Sequence, residues 1–208
     1  MTAVVDYGVG NLFSLVGSLS RIGETAKVTG KREELLSADR IILPGVGAFG
    51  EAMDKLRRAG LVDVLREAAG RGIPLLGICL GMQLLFDEGE EFGRHEGLGL
   101  IRGRVVSLRE QMTQPLKVPH MGWNSLRVVR PCALVTKEDE GKYVYYVHSY
   151  CATDCEGTVS ATSDYGTAVV GAVARGSVYG MQYHPEKSGE VGLEMLRRFC
   201  ALKGGERA

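Results

Sequence analysis

The first half of the chain alternates short apolar runs with segments whose apolar residues recur at helical spacing. The predicted strands are Thr2–Val5, Ala26–Thr29, Arg40–Leu43 and Ile73–Leu76. The predicted helices are Leu12–Ile22, Met53–Arg57, Leu61–Ala69 and, beyond the fourth strand, Leu80–Asp87. This alternation is typical of a parallel sheet that is covered on both faces.

The pattern changes after about residue 97 to shorter β-like segments. We predict strands at Gly103–Leu108, Ser125–Val129, Tyr143–Tyr150, Thr158–Ser163, Ala168–Ala174 and Ser177–Tyr183. Arg175-Gly176 is typical of a hairpin turn, and Glu190–Leu202 is predicted to close the chain as a helix. We therefore expect one α/β domain over residues 1–208. Its sheet is mixed and mostly parallel, flanked by helices, with extra antiparallel strands in the C-terminal half.

The segment Gly77-Ile78-Cys79-Leu80-Gly81 lies between a predicted strand and a predicted helix. It has the form of a nucleophile elbow, a tight strand-to-helix turn that presents a reactive side chain, here Cys79. The flanking glycines permit the sharp bend, and a helix N-terminus favours thiolate over thiol. The alternative is a buried structural cysteine at the end of a core strand.

A candidate base stands near the C-terminus, in Tyr183-His184-Pro185-Glu186. Alternate residues of an extended segment point the same way, so His184 and Glu186 are expected to face one site. A cysteine nucleophile needs a nearby base, and the base needs an acceptor that orients it. A His followed by Glu is usually a surface pair, but beside the elbow we favour a triad with Cys79.

Composition argues against several classes of protein. Lys plus Arg and Asp plus Glu both number 25, which disfavours nucleic acid or an anionic membrane as a partner. No apolar run approaches the roughly 20 residues that span a bilayer, and the N-terminus lacks the pattern of a signal peptide. Five cysteines without a dense disulfide spacing suit a reducing cytoplasm.

Two kinds of bound cofactor are also disfavoured. Cys151 and Cys155 could join His148 in a metal site, but the three-residue gap and the missing fourth ligand make this weak, and we expect no metal. Gly8-Val9-Gly10 does not complete a dinucleotide fingerprint because position 13 is Phe. No phosphate-binding loop motif is present. We expect no cofactor.

The elbow, the Tyr-His-Pro-Glu segment and an apolar strand leading into Pro-Gly-x-Gly resemble the triad-type glutamine amidotransferases. Among these the chain is similar to the family of glutaminase subunits of imidazole glycerol phosphate synthase. The resemblance implies a glutamine amidotransferase-like, flavodoxin-like fold. The elbow alone is shared by many hydrolases, whereas Pro-His-Met-Gly-Trp-Asn is much narrower. The segments, in the family's order over nearly the whole length, are Asp6–Leu12, Pro44–Phe49, Pro119–Asn124, Tyr146–Tyr150 and His184–Ser188.

The resemblance implies hydrolysis of L-glutamine to glutamate and ammonia. Cys79 would attack the carboxamide carbon and form a γ-glutamyl thioester, which water then cleaves. His184 would accept the thiol proton and return it to the departing ammonia, while Glu186 holds the imidazole.

The resemblance also implies an oxyanion hole. One donor would be the N–H of Leu80, and the other a peptide of the Pro44–Gly47 turn, for which we take Val46. In this family the turn is thought to reorient before the donor points inward. Gly45 and Gly47 make such a peptide flip sterically cheap.

Substrate recognition is expected from Gly47, Gln83, Ser149 and Tyr150. Gln83 lies one helical turn past Cys79 on the same face, so its amide can reach a bound substrate. The resemblance assigns Gln83, Ser149 and Tyr150 to the α-amino and α-carboxylate groups of glutamine. The alternatives are a solvated helix residue for Gln83 and a strand end that packs the core for the other two.

By resemblance, the ammonia passes to a separate cyclase subunit, a (β/α)8 barrel that forms a heterodimer with this chain. The cyclase would make imidazole glycerol phosphate and an aminoimidazole carboxamide ribonucleotide in histidine biosynthesis. Trp123 and Asn124, in an expected ordered loop, and Lys187 would lie at the interface. Ordinary core for Trp123 and a solvated charge for Lys187 are the alternatives. A stand-alone cysteine hydrolase of γ-glutamyl or peptide bonds, and a non-catalytic regulatory subunit, stay open as other functions.

Overall fold

The computed structural model describes residues 1–204, so residues 205–208 of the expected domain lie outside the described residues. The strands are β1 (Thr2–Val5), β2 (Ala26–Thr29), β3 (Arg40–Leu43), β4 (Leu75–Ile78), β5 (Phe86–Gly89), β6 (His95–Glu96), β7 (Ile101–Ser107), β8 (His120–Ser125), β9 (Arg127–Val128), β10 (Tyr143–His148), β11 (Tyr150–Thr153), β12 (Val159–Asp164), β13 (Ala168–Arg175) and β14 (Val178–Met181). The helices are α1 (Leu12–Arg21), α2 (Arg32–Leu36), α3 (Phe49–Arg58), α4 (Leu61–Gly70), α5 (Leu80–Gln83), α6 (Leu108–Gln111) and α7 (Gly189–Ala201). Short 3-10 turns lie at Lys137–Asp139, Glu156–Thr158 and Pro185–Lys187. Within residues 1–204, no helix has the length and apolar character needed to cross a membrane.

The central sheet has eight strands in the order β2-β1-β3-β4-β14-β13-β12-β9. The pairings from β2 to β14 are parallel. The pairings from β14 to β9 are antiparallel. Strands β8 and β10 form a two-stranded antiparallel sheet, which we call the β8–β10 hairpin although β9 lies between them in the chain. Strands β11-β7-β5-β6 form a further sheet. The predicted α/β fold is confirmed, with a parallel first half and antiparallel strands added by the C-terminal half.

Both faces of the parallel part are buried, which explains why its strands read as continuous apolar runs. On one face, Ala3 of β1 packs in a cluster with Leu56 of α3 and Leu65 of α4. On the other face, Val4 packs with Leu15 of α1. Adjacent residues of a strand therefore serve opposite halves of the core, as the two-residue period of a strand requires.

Several element predictions are wrong in extent. The predicted helix Leu80–Asp87 ends at Gln83, and Phe86–Gly89 is instead strand β5, paired in parallel with β7. A short apolar run fits either structure, and here pairing with a neighbouring strand decides. The sequence pattern also failed to predict α2. The expected loop around Trp123 is strand β8, paired residue by residue with β10.

The topology brings three chain segments to one edge of the central sheet. Strands β3, β4 and β14 are neighbours and run parallel, so their carboxyl ends lie side by side. β3 leads into the Pro44–Gly47 turn, β4 into Cys79, and β14 into the segment that contains His184. The carboxyl edge of a parallel sheet is where ligands bind in open α/β folds.

Candidate active site

Cys79 occupies a strained backbone conformation between β4 and α5. Its φ is 54° and its ψ −113°, a region that side chains rarely adopt and that marks functional turns. The turn is possible because its glycines touch other backbone. A Cβ on Gly81 would lie 1.9 Å from the carbonyl oxygen of Leu43, and one on Gly77 would lie 2.5 Å from the carbonyl oxygen of Gly81. The segment therefore has the geometry of a nucleophile elbow.

His184 and Glu186 form a buried pair beside the elbow. Nδ1 of His184 lies 2.7 Å from Oε1 of Glu186. The prediction that an extended segment aligns them is wrong, because Glu186 lies in the 3-10 turn Pro185–Lys187. The turn still brings the carboxylate onto the imidazole. Oε2 of Glu186 is buried without a hydrogen-bond partner among the described atoms.

The imidazole of His184 is held in its charged form. Burial opposes that charge, but hydrogen bonding and charge attraction from Cys79 and Glu186 outweigh it and raise the pKa of His184 to about 9. At neutral pH the imidazole therefore carries a proton next to the sulfur. A proton held there can be transferred to a leaving group.

The candidate site is a cavity of about 350 Å³ at the carboxyl edge of the sheet. Cys79 and His184 both line this cavity, and every residue predicted for oxyanion or substrate binding lines it as well. Those residues are Val46, Gly47, Leu80, Gln83, Ser149 and Tyr150. The structure thus brings together side chains from segments that lie far apart in the sequence.

The amide of Gln83 is fixed by two hydrogen bonds from one nitrogen. Nε2 donates to the carbonyl oxygen of Tyr150 at 3.0 Å and to Oε1 of Gln182 at 2.9 Å. Both amide hydrogens are then used, so the remaining polar atom of Gln83 is an acceptor, Oε1. Gln83 is buried, which removes the alternative of a solvated helix residue. Gln182 in turn places its Nε2 3.9 Å from the sulfur of Cys79.

The Pro44–Gly47 turn rests directly on the elbow. A Cβ on Gly45 would lie 2.7 Å from the backbone nitrogen of Gly81, and the hydroxyl of Tyr7 donates to the carbonyl of Pro44 at 2.8 Å. Gly47 has φ +97° with open space around it. Conformational freedom in this turn therefore belongs to Gly47, whereas Gly45 is needed for close packing.

Comparison with known proteins identifies the family of this chain. The model of the family described as glutamine amidotransferase class-I matches residues 3–202. The chain belongs to the class-I glutamine amidotransferase family. It is 50% identical over 208 residues to the imidazole glycerol phosphate synthase subunit HisH of Geobacillus thermodenitrificans, covering 99% of this chain and 97% of the relative. It is also 50% identical over 202 residues to HisH of Bacillus licheniformis, covering 96% and 95%.

Solved structures share the fold at lower identity. A crystal structure of a glutamine amidotransferase superposes with a TM-score of 0.74 at 21% identity, covering 96% of this chain and 99% of that one. PurLQS from Thermotoga maritima gives a TM-score of 0.73 at 20% identity, with 96% of both chains covered. The expected amidotransferase fold is confirmed.

Two predicted interface residues of this amidotransferase, Trp123 and Asn124, lie on opposite faces of the β8–β10 hairpin, and the third, Lys187, lies in the 3-10 turn Pro185–Lys187. Trp123 is 55% exposed on the outer face, so it is not ordinary core. The ring of Tyr145 meets Trp123 edge-on at 5.9 Å, and Nζ of Lys187 lies 5.8 Å from the Tyr145 ring centre. Asn124 faces inward, where its Nδ2 is 3.3 Å from Nε2 of His120. Direct contact of Asn124 with a partner stays a prediction.

Three residues of the site were not predicted: Glu91 and Gln182 lie outside the family's segments, and His148 lies inside Tyr146–Tyr150 without an assigned role at the site. Glu91 and His148 line the cavity, and Gln182 accepts a hydrogen bond from the side chain of Gln83. Oε2 of Glu91 accepts a 2.8 Å hydrogen bond from the backbone nitrogen of Phe49, which ties it to the start of α3. Glu91 and Gln182 are polar residues in ordinary local settings, and only the tertiary structure places them at the site.

The three residues considered for a metal site do not line the same cavity. His148 lines the active-site cavity, whereas Cys151 and Cys155 line a separate cavity of about 330 Å³. Across residues 1–204, no group of three His, Cys, Asp or Glu side chains is arranged to hold a metal ion. Burial raises the pKa of Cys151 to about 11 and, with nearby acidic side chains, that of Cys155 to about 12. These thiols stay protonated and unreactive at neutral pH.

Proposed function

We propose that this chain is the glutaminase subunit of an imidazole glycerol phosphate synthase, which hydrolyses L-glutamine and delivers ammonia to a cyclase subunit for histidine biosynthesis. The observation that carries the proposal is that the Cys79 elbow and the His184–Glu186 pair meet at one cavity. The full-length identity to HisH relatives supports the choice of synthase.

The reaction proceeds by acyl transfer through Cys79. The sulfur of Cys79 attacks as the thiolate, with its proton already on His184, and bonds to the carboxamide carbon while the carbonyl oxygen becomes an oxyanion. His184 gives its proton to the amide nitrogen, the C–N bond breaks, and ammonia leaves a γ-glutamyl thioester. His184 then takes a proton from water as the water attacks the thioester carbon, the C–S bond breaks, and glutamate departs as the thiolate of Cys79 and the charged imidazole are restored. Glu186 holds the imidazole in orientation and stabilises its charge throughout.

The oxyanion requires donors that converge on one point. Leu80 follows the nucleophile at the first position of α5, where backbone N–H groups have no partner within the helix. The Val46 peptide supplies the second donor, since the turn that carries it is packed against the elbow. Reorientation at Gly47 brings this donor into line.

Acceptors and donors on the cavity wall suit the α-amino acid end of glutamine. Oε1 of Gln83 and the carboxylate of Glu91 bind the α-ammonium group. The hydroxyl groups of Ser149 and Tyr150 bind the α-carboxylate. Burial, with the nearby negative charges of Glu91 and Glu110, holds the pKa of Tyr150 above its ordinary value, so its hydroxyl remains a donor.

The partner binds the outer face of the β8–β10 hairpin. Ammonia must pass between sites before bulk water protonates it, so the partner covers the mouth of the cavity. Trp123 is the large exposed aromatic residue that such an interface uses as an anchor. Lys187, next to Glu186, pairs with an acidic group of the partner. We further propose that the partner is a (β/α)8 barrel and that the two chains form a heterodimer in the cytoplasm.

The test separates glutamine hydrolysis from ammonia use in the purified complex. Cys79→Ala is expected to lower glutamine-dependent synthesis at least ~10⁴-fold, as loss of a nucleophile does in other hydrolases. Synthesis from added ammonium salt is expected to remain unchanged. Cys151→Ala, which removes a buried thiol outside the site, is the matched control and retains both activities. Substantial glutamine turnover by Cys79→Ala would exclude this mechanism.

The same assays separate the other functions. Robust hydrolysis of γ-glutamyl or peptide substrates by the isolated chain would indicate a stand-alone hydrolase. Binding to the partner without any glutamate release would indicate a non-catalytic subunit.

A further inference from the structure

Behind the cavity wall, a line of hydrogen bonds connects the hairpin to the glutamine site. Nδ2 of Asn124 lies 3.3 Å from Nε2 of His120, and Nδ1 of His120 lies 3.0 Å from Nε2 of His148. Nδ1 of His148 lies 2.8 Å from the carbonyl oxygen of Tyr150. We name these four residues the histidine chain.

The hydrogen bonds of the histidine chain all donate in one direction, from Asn124 toward Tyr150. A carbonyl oxygen can only accept, so Nδ1 of His148 carries a hydrogen and donates it to Tyr150. Burial lowers the pKa of His120 and of His148 to about 4, so each ring is neutral and has a single N–H. Nε2 of His148 is therefore an acceptor, Nδ1 of His120 is its donor, and Nε2 of His120 accepts from Asn124.

The ring of His120 is clamped between two aromatic rings. It stacks on Tyr146 with centroids 4.6 Å apart and on Tyr165 with centroids 4.0 Å apart. The hydroxyl of Tyr146 is bonded to Ser163 at 2.8 Å. The hydroxyl of Tyr165 donates to the carbonyl of Lys117 at 2.9 Å. The plane of the imidazole is thus fixed, and its nitrogens are aimed along the chain.

We propose that His120 is a positioning residue for glutamine binding, which acts through His148 to hold the carbonyl group of Tyr150. That carbonyl also accepts a hydrogen bond from Nε2 of Gln83. This hydrogen bond orients the amide so that Oε1 of Gln83 stays available to the substrate. The proposal rests on the proposed glutaminase function and adds a residue that does not line the cavity. Asn124, expected at the partner interface, is in this view the outer end of the histidine chain.

The expected signature is a change in KM without a comparable change in kcat. His120 touches neither Cys79 nor His184, so the chemical step keeps its nucleophile and its proton carrier. Loss of the histidine chain loosens the wall that binds the α-amino acid end of glutamine. This weakens ground-state and transition-state binding alike, which raises KM alone.

The experiment uses the complex with its partner and compares His120→Phe with Tyr165→Phe. His120→Phe keeps the aromatic stack but removes both ring nitrogens, and KM for glutamine is expected to rise about tenfold while kcat changes less than about threefold. Tyr165→Phe keeps the stack and the histidine chain, so its KM is expected to equal that of the wild type. Synthesis from ammonium salt is expected to be unaffected in both.

A double-mutant cycle distinguishes positioning from general loosening. If His120 acts through Gln83, then His120→Phe adds little to the KM of Gln83→Ala, whereas independent effects would multiply. In the wild-type protein, nitrogen NMR is expected to find both His120 and His148 as neutral Nδ1–H tautomers. Multiplying effects, an unchanged KM in an active complex, or an Nε2–H tautomer at either ring would overturn the positioning role alone. Absence of glutamine hydrolysis in the wild-type complex would overturn the proposed function as well.

Discussion

The elbow around Cys79 and the β8–β10 hairpin line the same cavity, yet they are built in different ways. The elbow is held by backbone packed on backbone, with Gly77, Gly81 and the strand before the Pro44–Gly47 turn in direct contact. The hairpin is a backbone ladder of only two strands, and it differs from the elbow in presenting side chains on both of its faces. Its inner face carries the histidine pair, and its outer face carries Trp123 in solvent.

The difference separates two requirements of a glutaminase subunit. Chemistry needs a nucleophile whose position does not vary, and a turn without free space for side chains supplies it. Docking of the partner needs an exposed surface. Coupling of docking to glutamine hydrolysis needs side chains that connect this surface to the cavity. Substitutions in the elbow should therefore lower kcat or the free energy of unfolding. Substitutions in the hairpin should weaken binding of the partner or of glutamine.

After loss of the nucleophile itself, the largest expected effect is loss of the proton carrier. His184→Ala should lower kcat for glutamine hydrolysis by up to ~10⁴-fold, because it removes the group that protonates the leaving ammonia. Glu186→Gln should cost roughly 10²-fold, because the base remains while its orientation and charge stabilisation weaken. Steady-state glutamate release by the complex measures both. Near-wild-type activity of His184→Ala would make the triad assignment wrong.

The next largest expected effect is on stability, through the packing of the elbow. Gly81→Ala should lower the free energy of unfolding by about 3 kcal/mol, since the new Cβ would overlap the carbonyl oxygen of Leu43. Gly17→Ala is the matched control, because Gly17 lies within α1 with nothing within 4 Å of a Cβ. That substitution should be stabilising by about 0.5–1 kcal/mol. Denaturant unfolding of the isolated chain gives both values, and equal effects would contradict the close packing inferred here.

On the hairpin, Trp123→Ala should weaken binding of the cyclase partner by at least ~2 kcal/mol. It should also let ammonia escape, so that glutamate formed exceeds cyclised product. Val129→Ala, at another exposed apolar residue outside the hairpin, is the control and should leave both quantities unchanged. Titration calorimetry and the ratio of glutamate to product are the measurements. Unchanged affinity in Trp123→Ala would place the partner on another face.

The smallest effect concerns pH. The pKa of His184 is raised from its ordinary 6.5 to about 9, so its protonated form stabilises the fold fully below pH 6.5 and loses this contribution as pH rises through 9. The same proton is needed for the leaving group, so kcat/KM should fall with an alkaline limb near pH 9. Glu186→Gln removes a charge that raises this pKa and should move the limb to lower pH. An unmoved limb would show that another group titrates there.

The elbow could be predicted from the sequence because its requirements are local. Glycines on both sides of Cys79, after an apolar run, leave few conformations open to the backbone. The convergence of His184 and Glu186 was predicted for the wrong local reason, since a 3-10 turn and not an extended strand brings them together. Their closeness survives because a two-residue separation permits contact in either conformation.

The hairpin and the cavity wall could not be predicted in the same way. Trp123 lies in a strand despite its glycine- and proline-containing surroundings, because pairing with β10 overrides local preference. Glu91 and Gln182 are placed by long-range packing and lie in no motif. His148 lies in the Tyr146–Tyr150 segment, but its hydrogen bond with His120 is set by the tertiary structure. The expected domain boundary at residue 208 stays a prediction.

The most direct test of the central claim is to trap the acyl-enzyme. The complex is mixed with glutamine, quenched in acid within a turnover, digested and examined by mass spectrometry. We expect the peptide that contains Cys79 to carry the added mass of one γ-glutamyl group, and the peptides that contain Cys132, Cys151, Cys155 and Cys200 to carry none. An adduct on another residue during turnover would contradict a role of Cys79 as the nucleophile. So would the absence of an adduct at Cys79 when hydrolysis of the thioester is slowed.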